Sequence, residues 1–303
     1  MNPVPSGLPS TIRSARARDL HTAAAAALAG GRAAMRLYGS AGLEIRDKAA
    51  GAPVTEADHA ANAAILAVLD ERSPADPVLS EESPPPAASV PGPSGFGNGR
   101  TWIVDPLDGT KEFIAGNGEF AVMVGLALDG AAAVGAVYRP DPGILFLGGV
   151  GDGAWQADVP PAGGAPPTAF RPLRTGRAGR GPLRFVRSRS HPDPLLSAVE
   201  AELGDAEIVL CGSVGVKCSL IAAGRADAYV HPVAFLKEWD TCAPEAVLVG
   251  AGGKVTDCGG EPLRYGKLDP RQRRGILAAR EPAWSSLLPL VRRVAAPILG
   301  RES

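Results

Sequence analysis

The spacing of apolar and polar residues predicts two helices and a short strand in the first eighty residues. The alanine-rich stretch 17–38 is typical of an amphipathic helix. Thr55 is suited to cap a second helix, with Asp58 in the capping-box position three residues later. This helix is expected to end near Arg72, and its apolar face consists of Ala61, Ile65, Leu66 and Leu69. The sequence DPVLSEES then predicts a short strand that ends in acidic residues.

The middle of the chain predicts one further strand and an antiparallel hairpin. Residues 84–99 are rich in proline and glycine and are expected to form a loop. An apolar strand at 101–105 leads directly into the sequence DPLDGT. The sequence EFAVMVGLALDGAAAVGAVYRP then predicts a hairpin, with Asp129 and Gly130 as its turn.

Strands and helices alternate after a second proline- and glycine-rich stretch at 159–167. Helices are predicted at 193–203, 215–224 and 241–252, between strands in LRFVRSRS, EIVLCGS, DAYVHP and KVTD. This alternation is typical of an α/β arrangement. We therefore expect an N-terminal α+β half that binds metal, residues 1–140. The C-terminal α/β half, residues 141–303, is expected to complete the substrate and metal site.

The composition excludes several classes of protein. The 303 residues carry a net charge of −1 at pH 7, so no overall field attracts nucleic acid or an acidic membrane. No apolar run reaches the ~18 residues of a membrane-spanning helix. The four cysteines include no C-x-x-C pair, which argues against a zinc site. So few cysteines in a chain of this length favour a reducing, cytoplasmic location.

Acidic residues stand at four predicted element boundaries, where their side chains can point into a cleft. They are Asp58, the pair Glu81 and Glu82, the pair Asp105 and Asp108, and Asp240. Carboxylate oxygens are the hard ligands that suit Mg²⁺. Each site alone has an ordinary explanation as a turn, a surface pair or a helix cap. Their conjunction around DPLDGT is harder to explain in this way and favours a metal site.

The hexapeptide DPLDGT can serve both a metal and a phosphate. The proline restricts the turn, so that Asp105 and Asp108 can point one way with the Leu107 carbonyl between them. Gly109 permits close approach of the backbone to a ligand. The NH groups of Gly109 and Thr110 can face a phosphate if a helix starts there.

Four motifs, in order, resemble a known family. The sequences VTEAD, SEES, WIVDPLDGT and WDTCAPEAVLVGAGG, within residues 54–253, are similar to the lithium-sensitive, magnesium-dependent phosphatases. That family includes inositol monophosphatase, fructose-1,6-bisphosphatase and 3'(2'),5'-bisphosphate nucleotidase. Three further sequences resemble the nucleotidase branch: Lys111-Glu112-Phe113, SRSH at 188–191 and GSVGVKC at 212–218. Ser80 departs from the glycine of many relatives, and a long proline-rich loop follows it.

The resemblance implies a fold of the inositol monophosphatase-like sugar phosphatase type, a layered α/β/α/β/α sandwich. It implies two or three Mg²⁺ per site. Glu81, Asp105 and the Leu107 carbonyl would hold the first ion, and Asp105, Asp108 and Asp240 the second. Gly109 and Thr110 would contact the scissile phosphate. Asp58 would pair with the Thr110 hydroxyl, while Glu81 and Thr110 orient and deprotonate a metal-activated water.

The nucleotidase branch implies removal of the 3'-phosphate from adenosine 3',5'-bisphosphate, which leaves AMP. Asp108 and Asp240 would also lie against the substrate. A retained 5'-phosphate needs donors from the second half of the chain, and the candidates are Ser190, His191, Ser213, Lys217 and His231. Lys217 is the preferred candidate, because it follows a glycine-bearing loop at a predicted helix start.

Two other functions remain open. An inositol phosphate or sugar bisphosphate phosphatase would use the same chemistry on a different small molecule. A non-catalytic nucleotide-binding relative is less favoured, because none of the expected acidic ligands is missing. The sequence allows a monomer or a homodimer. It shows no membrane anchor, although peripheral membrane association of some relatives leaves that location open.

Overall fold

The structure is a computed structural model that describes residues 14–40, 45–47, 53–83, 99–160, 167, 169–176, 181–190, 194–232 and 235–300. The predicted loop at 84–99, apart from Gly99, lies outside the described residues, as do most of the stretch 159–167 and His191. No helix among the described residues is long and apolar enough to cross a membrane.

The larger sheet has seven strands, which follow one another in chain order across the sheet. They are β3 (Val78–Ser80), β4 (Arg100–Asp108), β5 (Ala121–Leu128), β6 (Ala131–Arg139), β7 (Ile144–Gly149), β8 (Gly153–Asp158) and β9 (Arg171–Pro172). Only β3 and β4 are parallel. The hairpin predicted from Asp129 and Gly130 is confirmed, and both residues adopt positive φ, +50° and +76°. A separate two-stranded ribbon joins β1 (Ile45–Asp47) and β2 (Pro53–Thr55).

One face of this sheet is covered by the first two helices, α1 (Ser14–Met35) and α2 (Glu56–Arg72). Side chains alternate along β5, so Val122, Val124 and Leu126 pack against these helices. Ala121 and Met123 point to the opposite face and join a second core cluster. Burial on both faces explains why the sequence of β5 is almost entirely apolar.

The opposite face is covered by α5 (Val214–Ala222) and α6 (Glu238–Gly250). Three glycines on neighbouring strands allow α6 to lie directly on the sheet backbone. A Cβ added at Gly125, Gly135 or Gly148 would come within 2.2–2.7 Å of α6 atoms. This close approach fixes the helix that carries Asp240 relative to the strands that carry the other acidic residues.

A five-stranded sheet covers the far side of α5 and α6. Its strand order is β11-β10-β12-β14-β13, with β10 (Arg184–Ser188), β11 (Glu207–Cys211), β12 (Ala228–His231), β13 (Gly253–Thr256) and β14 (Ile276–Arg280). Its outer face packs on α4 (Pro194–Glu202) and α7 (Ala283–Val294), and the short helix α8 (Ala296–Leu299) follows. The expected α/β/α/β/α sandwich is confirmed.

Two element boundaries differ from the sequence prediction. Strand β4 continues through the DPLDGT motif to Asp108, and α6 begins at Glu238 rather than at residue 241. The larger sheet continues to Pro172 and the five-stranded sheet begins at Arg184, so the change of sheet falls between these residues.

Candidate active site

A β-bulge brings the two aspartates of DPLDGT to one face of the sheet. Asp105 pairs with Met123 and Asp108 with Ala121, so β4 advances three residues where β5 advances two. Residues three apart in a regular strand would point to opposite faces. With the extra residue, both aspartates face the layer that contains α5 and α6. The Leu107 NH donates to Asp105 Oδ1 at 3.0 Å and holds this turn.

The turn after Asp108 requires glycine. Gly109 has φ +95°, and a Cβ there would lie 3.0 Å from the Glu119 carbonyl oxygen. The six-residue helix α3 (Thr110–Ala115) starts at the next residue. Phe113 anchors α3, because its ring contacts that of Phe120 with centroids 5.0 Å apart. The backbone of Gly109 and Thr110 is therefore held at the end of β4.

The Thr110 side chain is held by a buried carboxylate from α2. Its hydroxyl donates to Asp58 Oδ1 at 3.1 Å. Asp58 is 2% exposed, and its Oδ2 accepts from the Thr55 NH at 2.8 Å and the Thr55 hydroxyl at 2.7 Å. The capping box predicted from the sequence is present at this helix start. The expected pairing of Asp58 with Thr110 is therefore a feature of the structure.

Acidic charges from three parts of the chain interact near the end of β4. Loss of hydration raises the pKa of Asp105 well above its usual value, and the charges of Glu81, Asp108 and Asp240 raise it further. Loss of hydration, followed by the charges of Glu81 and Asp108, raises the pKa of Asp240 to about 8. The Glu81 NH donates to the Val104 carbonyl, which places Glu81 beside β4. Such a group of like charges is unfavourable unless protons or cations neutralise it.

The donor set fits Mg²⁺ in its chemistry, although the side chains are not arranged as a finished metal cluster. Within the described ranges, no three His, Cys, Asp or Glu side chains form a group that could hold a metal as they stand. Asp108 Oδ2 and Asp240 Oδ2 both accept from nearby backbone NH groups. The four interacting acids offer only oxygen donors, which suits Mg²⁺ better than a softer metal.

The loop between β11 and α5 supplies hydrogen-bond donors to Asp108. The Ser213 hydroxyl donates to Asp108 Oδ2 at 2.5 Å, and the Gly215 NH donates to the same oxygen at 2.8 Å. Ser213 also caps α5 by accepting from the Val216 NH at 3.0 Å. Because Ser213 is fully buried, its hydroxyl serves Asp108 in this structure rather than a phosphate in the cleft.

Lys217 does not lie in the position expected from the sequence. It is 1% exposed, and its ammonium group donates to the Gly212 carbonyl at 2.6 Å. The ammonium also lies 5.1 Å from the centre of the Tyr229 ring. Burial lowers the pKa of Lys217, while nearby acidic groups, Asp108 among them, oppose that shift. A direct contact with a retained phosphate would require this side chain to leave its present partners.

The other predicted phosphate contacts have varied positions. The Ser190 hydroxyl donates to Glu112 Oε1. His231 is half-buried at the end of β12, with its ring 6.4 Å from that of Tyr229. His191 lies outside the described residues. The structure therefore places Ser190, Ser213 and Lys217 against groups of the protein itself, namely Glu112, Asp108 and the Gly212 carbonyl.

Comparison with known proteins agrees with the fold and the motifs. The family described as "Inositol monophosphatase family" matches residues 16–295. The chain belongs to the inositol monophosphatase family. A relative from Shigella flexneri, named 3'(2'),5'-bisphosphate nucleotidase CysQ, is 38% identical over 236 residues, which cover 78% of this chain and 89% of the relative. A relative from Mycobacterium leprae, named 3'-phosphoadenosine 5'-phosphate phosphatase, is 34% identical over 70% of this chain and 73% of its own.

A solved structure of the same family supports the assignment of the fold. CysQ from Bacteroides thetaiotaomicron, described as a bacterial member of the inositol monophosphatase family, superimposes with a TM-score of 0.74. Its sequence is 33% identical, and the match covers 87% of this chain and 97% of that one.

The structure of the present chain shows further residues near the site to which the sequence analysis gave no role. Glu112 is buried on α3, where it accepts a hydrogen bond from Ser190. Glu119 forms a two-pronged ion pair with Arg189 and accepts from the Gly212 NH at 3.0 Å. One feature of the sequence pointed to this region, since Glu112 follows the phosphate motif directly. Nothing in the sequence indicated the partners Ser190, Arg189 and Gly212, because they are far from α3 in the chain.

Proposed function

We propose that the chain is a Mg²⁺-dependent 3'(2'),5'-bisphosphate nucleotidase that removes the 3'-phosphate of adenosine 3',5'-bisphosphate and leaves AMP. The bulge in β4 carries this proposal, because it turns Asp105 and Asp108 to the face on which α6 presents Asp240. The names of the relatives from Shigella flexneri and Mycobacterium leprae support this choice of substrate.

In this proposal the acidic residues hold two metal ions. Glu81, Asp105 and the Leu107 carbonyl hold the first, while Asp105, Asp108 and Asp240 hold the second. Burial, and after it the charges of the neighbouring carboxylates, raise the pKa values of Asp105 and Asp240. These raised pKa values support this role, since a cation would compensate for the lost hydration and relieve the repulsion. When bound, Mg²⁺ supplies positive charge that polarises the phosphate and favours deprotonation of the attacking water.

The protein groups orient the water and take up its proton. The Thr110 hydroxyl has two acceptors in range, Asp58 Oδ1 at 3.1 Å and the Leu107 carbonyl at 3.3 Å. In this proposal its proton goes to Asp58, so the Thr110 oxygen accepts a hydrogen bond from the water. Glu81 accepts the proton as the water oxygen attacks phosphorus. The bond from phosphorus to the 3'-oxygen breaks, and that oxygen takes a proton from solvent to give the free hydroxyl. The NH groups of Gly109 and Thr110 orient the phosphate that is cleaved.

Phosphate release from purified protein tests the proposal. Four substrates are compared with and without Mg²⁺: adenosine 3',5'-bisphosphate, inositol 1-phosphate, inositol 1,4-bisphosphate and fructose 1,6-bisphosphate. We expect the highest kcat/KM with the adenosine compound and no turnover after chelation. Preference for an inositol phosphate would replace the proposed substrate while keeping the mechanism. Failure to release phosphate from any of the four would contradict an enzymatic role on these substrates.

A further inference from the structure

Glu112 lies in a buried contact between the phosphate turn and the second half of the chain. It stands two residues after Thr110 on α3 and is 4% exposed. Its Oε1 accepts a hydrogen bond from the Ser190 hydroxyl, just beyond β10. Its carboxylate thus links the helix after the phosphate turn to a strand end of the other sheet.

The Glu112 side chain also occupies the space beside Gly212 that any larger residue would need. A Cβ added at Gly212 would lie 2.3 Å from Glu112 Cγ, 2.4 Å from Cδ and 2.7 Å from Oε1. Gly212 has no positive φ that would require glycine for the backbone alone. Its lack of a side chain is therefore explained by the presence of Glu112.

The peptide groups of Gly212 are held on two further sides. Its NH donates to Glu119 Oε2 at 3.0 Å, and its carbonyl accepts from the Lys217 ammonium at 2.6 Å. The next NH, that of Ser213, donates to the Glu119 carbonyl at 3.2 Å. The position of Gly212 is thus set by Glu112, Glu119 and Lys217 together.

A displacement of Gly212 would also move the groups that donate hydrogen bonds to the candidate metal ligand Asp108. Ser213 directly follows Gly212, and its hydroxyl donates to Asp108 Oδ2 at 2.5 Å. The Gly215 NH donates to that same oxygen at 2.8 Å. The loop between β11 and α5 is short and held by several hydrogen bonds, so a shift of Gly212 would also shift these two donors.

We propose that Glu112 and Gly212 form a size-matched contact that positions the Ser213 and Gly215 donors on Asp108, which makes Glu112 a positioning residue for the reaction. The effect of Glu112 on the reaction rests on the proposed function, because it is measured as enzyme activity. The contact itself can be tested by stability, independently of any substrate.

A double-mutant cycle separates this contact from independent effects. Gly212→Ala is expected to lower kcat about 10–100-fold, the scale of a small misplacement in an active site. Glu112→Ala should also lower kcat, because the loop loses one of its supports. The double variant removes the colliding side chain, so its kcat should exceed that of Gly212→Ala by about 10-fold. KM should change less than about 3-fold throughout, because the donors act on Asp108 rather than on substrate.

Conservative and surface variants serve as controls. Glu112→Gln keeps the size and an oxygen acceptor for Ser190, so it should recover most of the kcat lost in Glu112→Ala. Glu71→Ala removes an exposed carboxylate near the end of α2 and should change neither kcat nor the melting temperature. Equal losses for Glu112→Gln and Glu112→Ala would overturn the proposed geometry, since only the alanine variant loses the contact.

Thermal unfolding completes the test. The melting temperature should fall in Gly212→Ala and recover in the double variant. If the two single variants act independently, the double variant will show the product of their losses in kcat and the sum of their losses in melting temperature. That result would refute the contact. If the wild-type protein releases no phosphate from any of the four substrates, the proposed function fails, while the melting temperatures still decide whether Glu112 and Gly212 are coupled. If Gly212→Ala does not fold, the comparison of Glu112→Gln with Glu112→Ala decides.

Discussion

The Thr110 hydroxyl and Asp58 Oδ1 are joined by a hydrogen bond of 3.1 Å that links the phosphate turn to α2. The other Asp58 oxygen is held by the Thr55 NH and hydroxyl. A hydroxyl has a single proton, and the Leu107 carbonyl lies at 3.3 Å as a second acceptor. When the proton goes to Asp58, both lone pairs of the Thr110 oxygen stay available to accept a hydrogen bond. The relationship gives Thr110 a fixed orientation that a threonine on a surface loop would lack.

Thr110→Val should therefore lower kcat by about 10²-fold or more, the scale for losing a positioned proton-transfer group. Valine has nearly the same shape, so the loss would come from the hydroxyl. Thr110→Ser keeps the hydroxyl and should stay within about 10-fold of the wild type. Steady-state kinetics on adenosine 3',5'-bisphosphate check both variants. Equal activity of the valine and serine variants would contradict a role for the hydroxyl.

Asp108→Asn should separate catalysis from stability. The amide keeps the shape of the side chain and can still accept from Ser213 and Gly215. It removes a negative charge that Mg²⁺ needs, so kcat should fall at least ~10³-fold. The melting temperature measured without Mg²⁺ should not fall, because the repulsion of Asp105 is reduced. Asp70→Asn, at an exposed position of α2, is the matched control. Near-normal turnover of Asp108→Asn at saturating Mg²⁺ would refute the assignment of Asp108 as a ligand.

Stability without metal should depend on pH through Asp240. Its pKa is raised to about 8 in the folded protein, against about 4 for an unfolded aspartate. The folded state then binds the proton more tightly, so this stabilisation is complete below pH ~4 and is lost as the pH rises towards about 8. In a chelator, we expect the melting temperature to decrease over that interval. Asp240→Asn should show a weaker decrease.

Added Mg²⁺ should counteract this decrease of the melting temperature with rising pH. At pH 5 the ion must displace protons from the carboxyl groups, while at pH 8 those protons are already leaving. The increase in melting temperature on addition of Mg²⁺ should therefore be larger at pH 8 than at pH 5. An equal increase at both pH values would show that the ion does not bind at the acidic cluster.

A second aspartate should give the opposite dependence on pH. Burial acts to raise the pKa of Asp227, but hydrogen bonds from Arg184 and Arg280 outweigh it and lower the pKa to about 2. Its stabilisation is present above the unfolded pKa and is lost as the pH falls from about 4 to about 2. Asp227→Asn should cost about 3 kcal/mol at pH 7, because it leaves two arginines without their acidic partner. Denaturant unfolding should show this difference shrink below pH 4.

The local chemistry of the site was predictable from the sequence, whereas the contacts between distant segments were not. Thr55 and Asp58 follow a helix-capping pattern that acts within four residues, and the structure has it. The turn at Gly109 was likewise encoded locally. The burial of Lys217 was not predictable, because it depends on the packing of α5 between two sheets. The local sequence around a lysine near a helix start does not distinguish a side chain that faces solvent from one that is buried in the core.

The bulge in β4 is a second feature that the local sequence could not fully predict. The sequence indicated that Asp105 and Asp108 could point one way, and it assigned this to a turn after the strand. The structure achieves the same result inside the strand, where Pro106 and Leu107 of β4 stand opposite the single residue Val122 of β5. Only the register against β5 distinguishes the two arrangements, and that register depends on the hairpin as a whole.

The burial of Lys217 also changes what its substitution should do to substrate choice. If the ammonium bound the retained 5'-phosphate, its loss would lower kcat/KM for adenosine 3',5'-bisphosphate by about 10–100-fold, as a charge-assisted contact requires. A monophosphate such as 3'-AMP lacks that group and would be unaffected. The structure instead gives the ammonium to the Gly212 carbonyl at 2.6 Å, behind the loop that serves Asp108.

We therefore expect Lys217→Met to lower kcat for both substrates by the same factor, about 10-fold, within a margin of about 3. Methionine keeps most of the volume, so the core around Tyr229 should remain packed while the support of Gly212 is lost. Kinetics of the two substrates on one preparation, with the melting temperature of each variant, make the comparison. A loss confined to the bisphosphate would mean that Lys217 leaves the core to reach the retained phosphate, as the sequence suggested. An equal loss would assign Lys217 to the support of the Gly212 loop, and the search for the phosphate contact would move to Ser190 and His231.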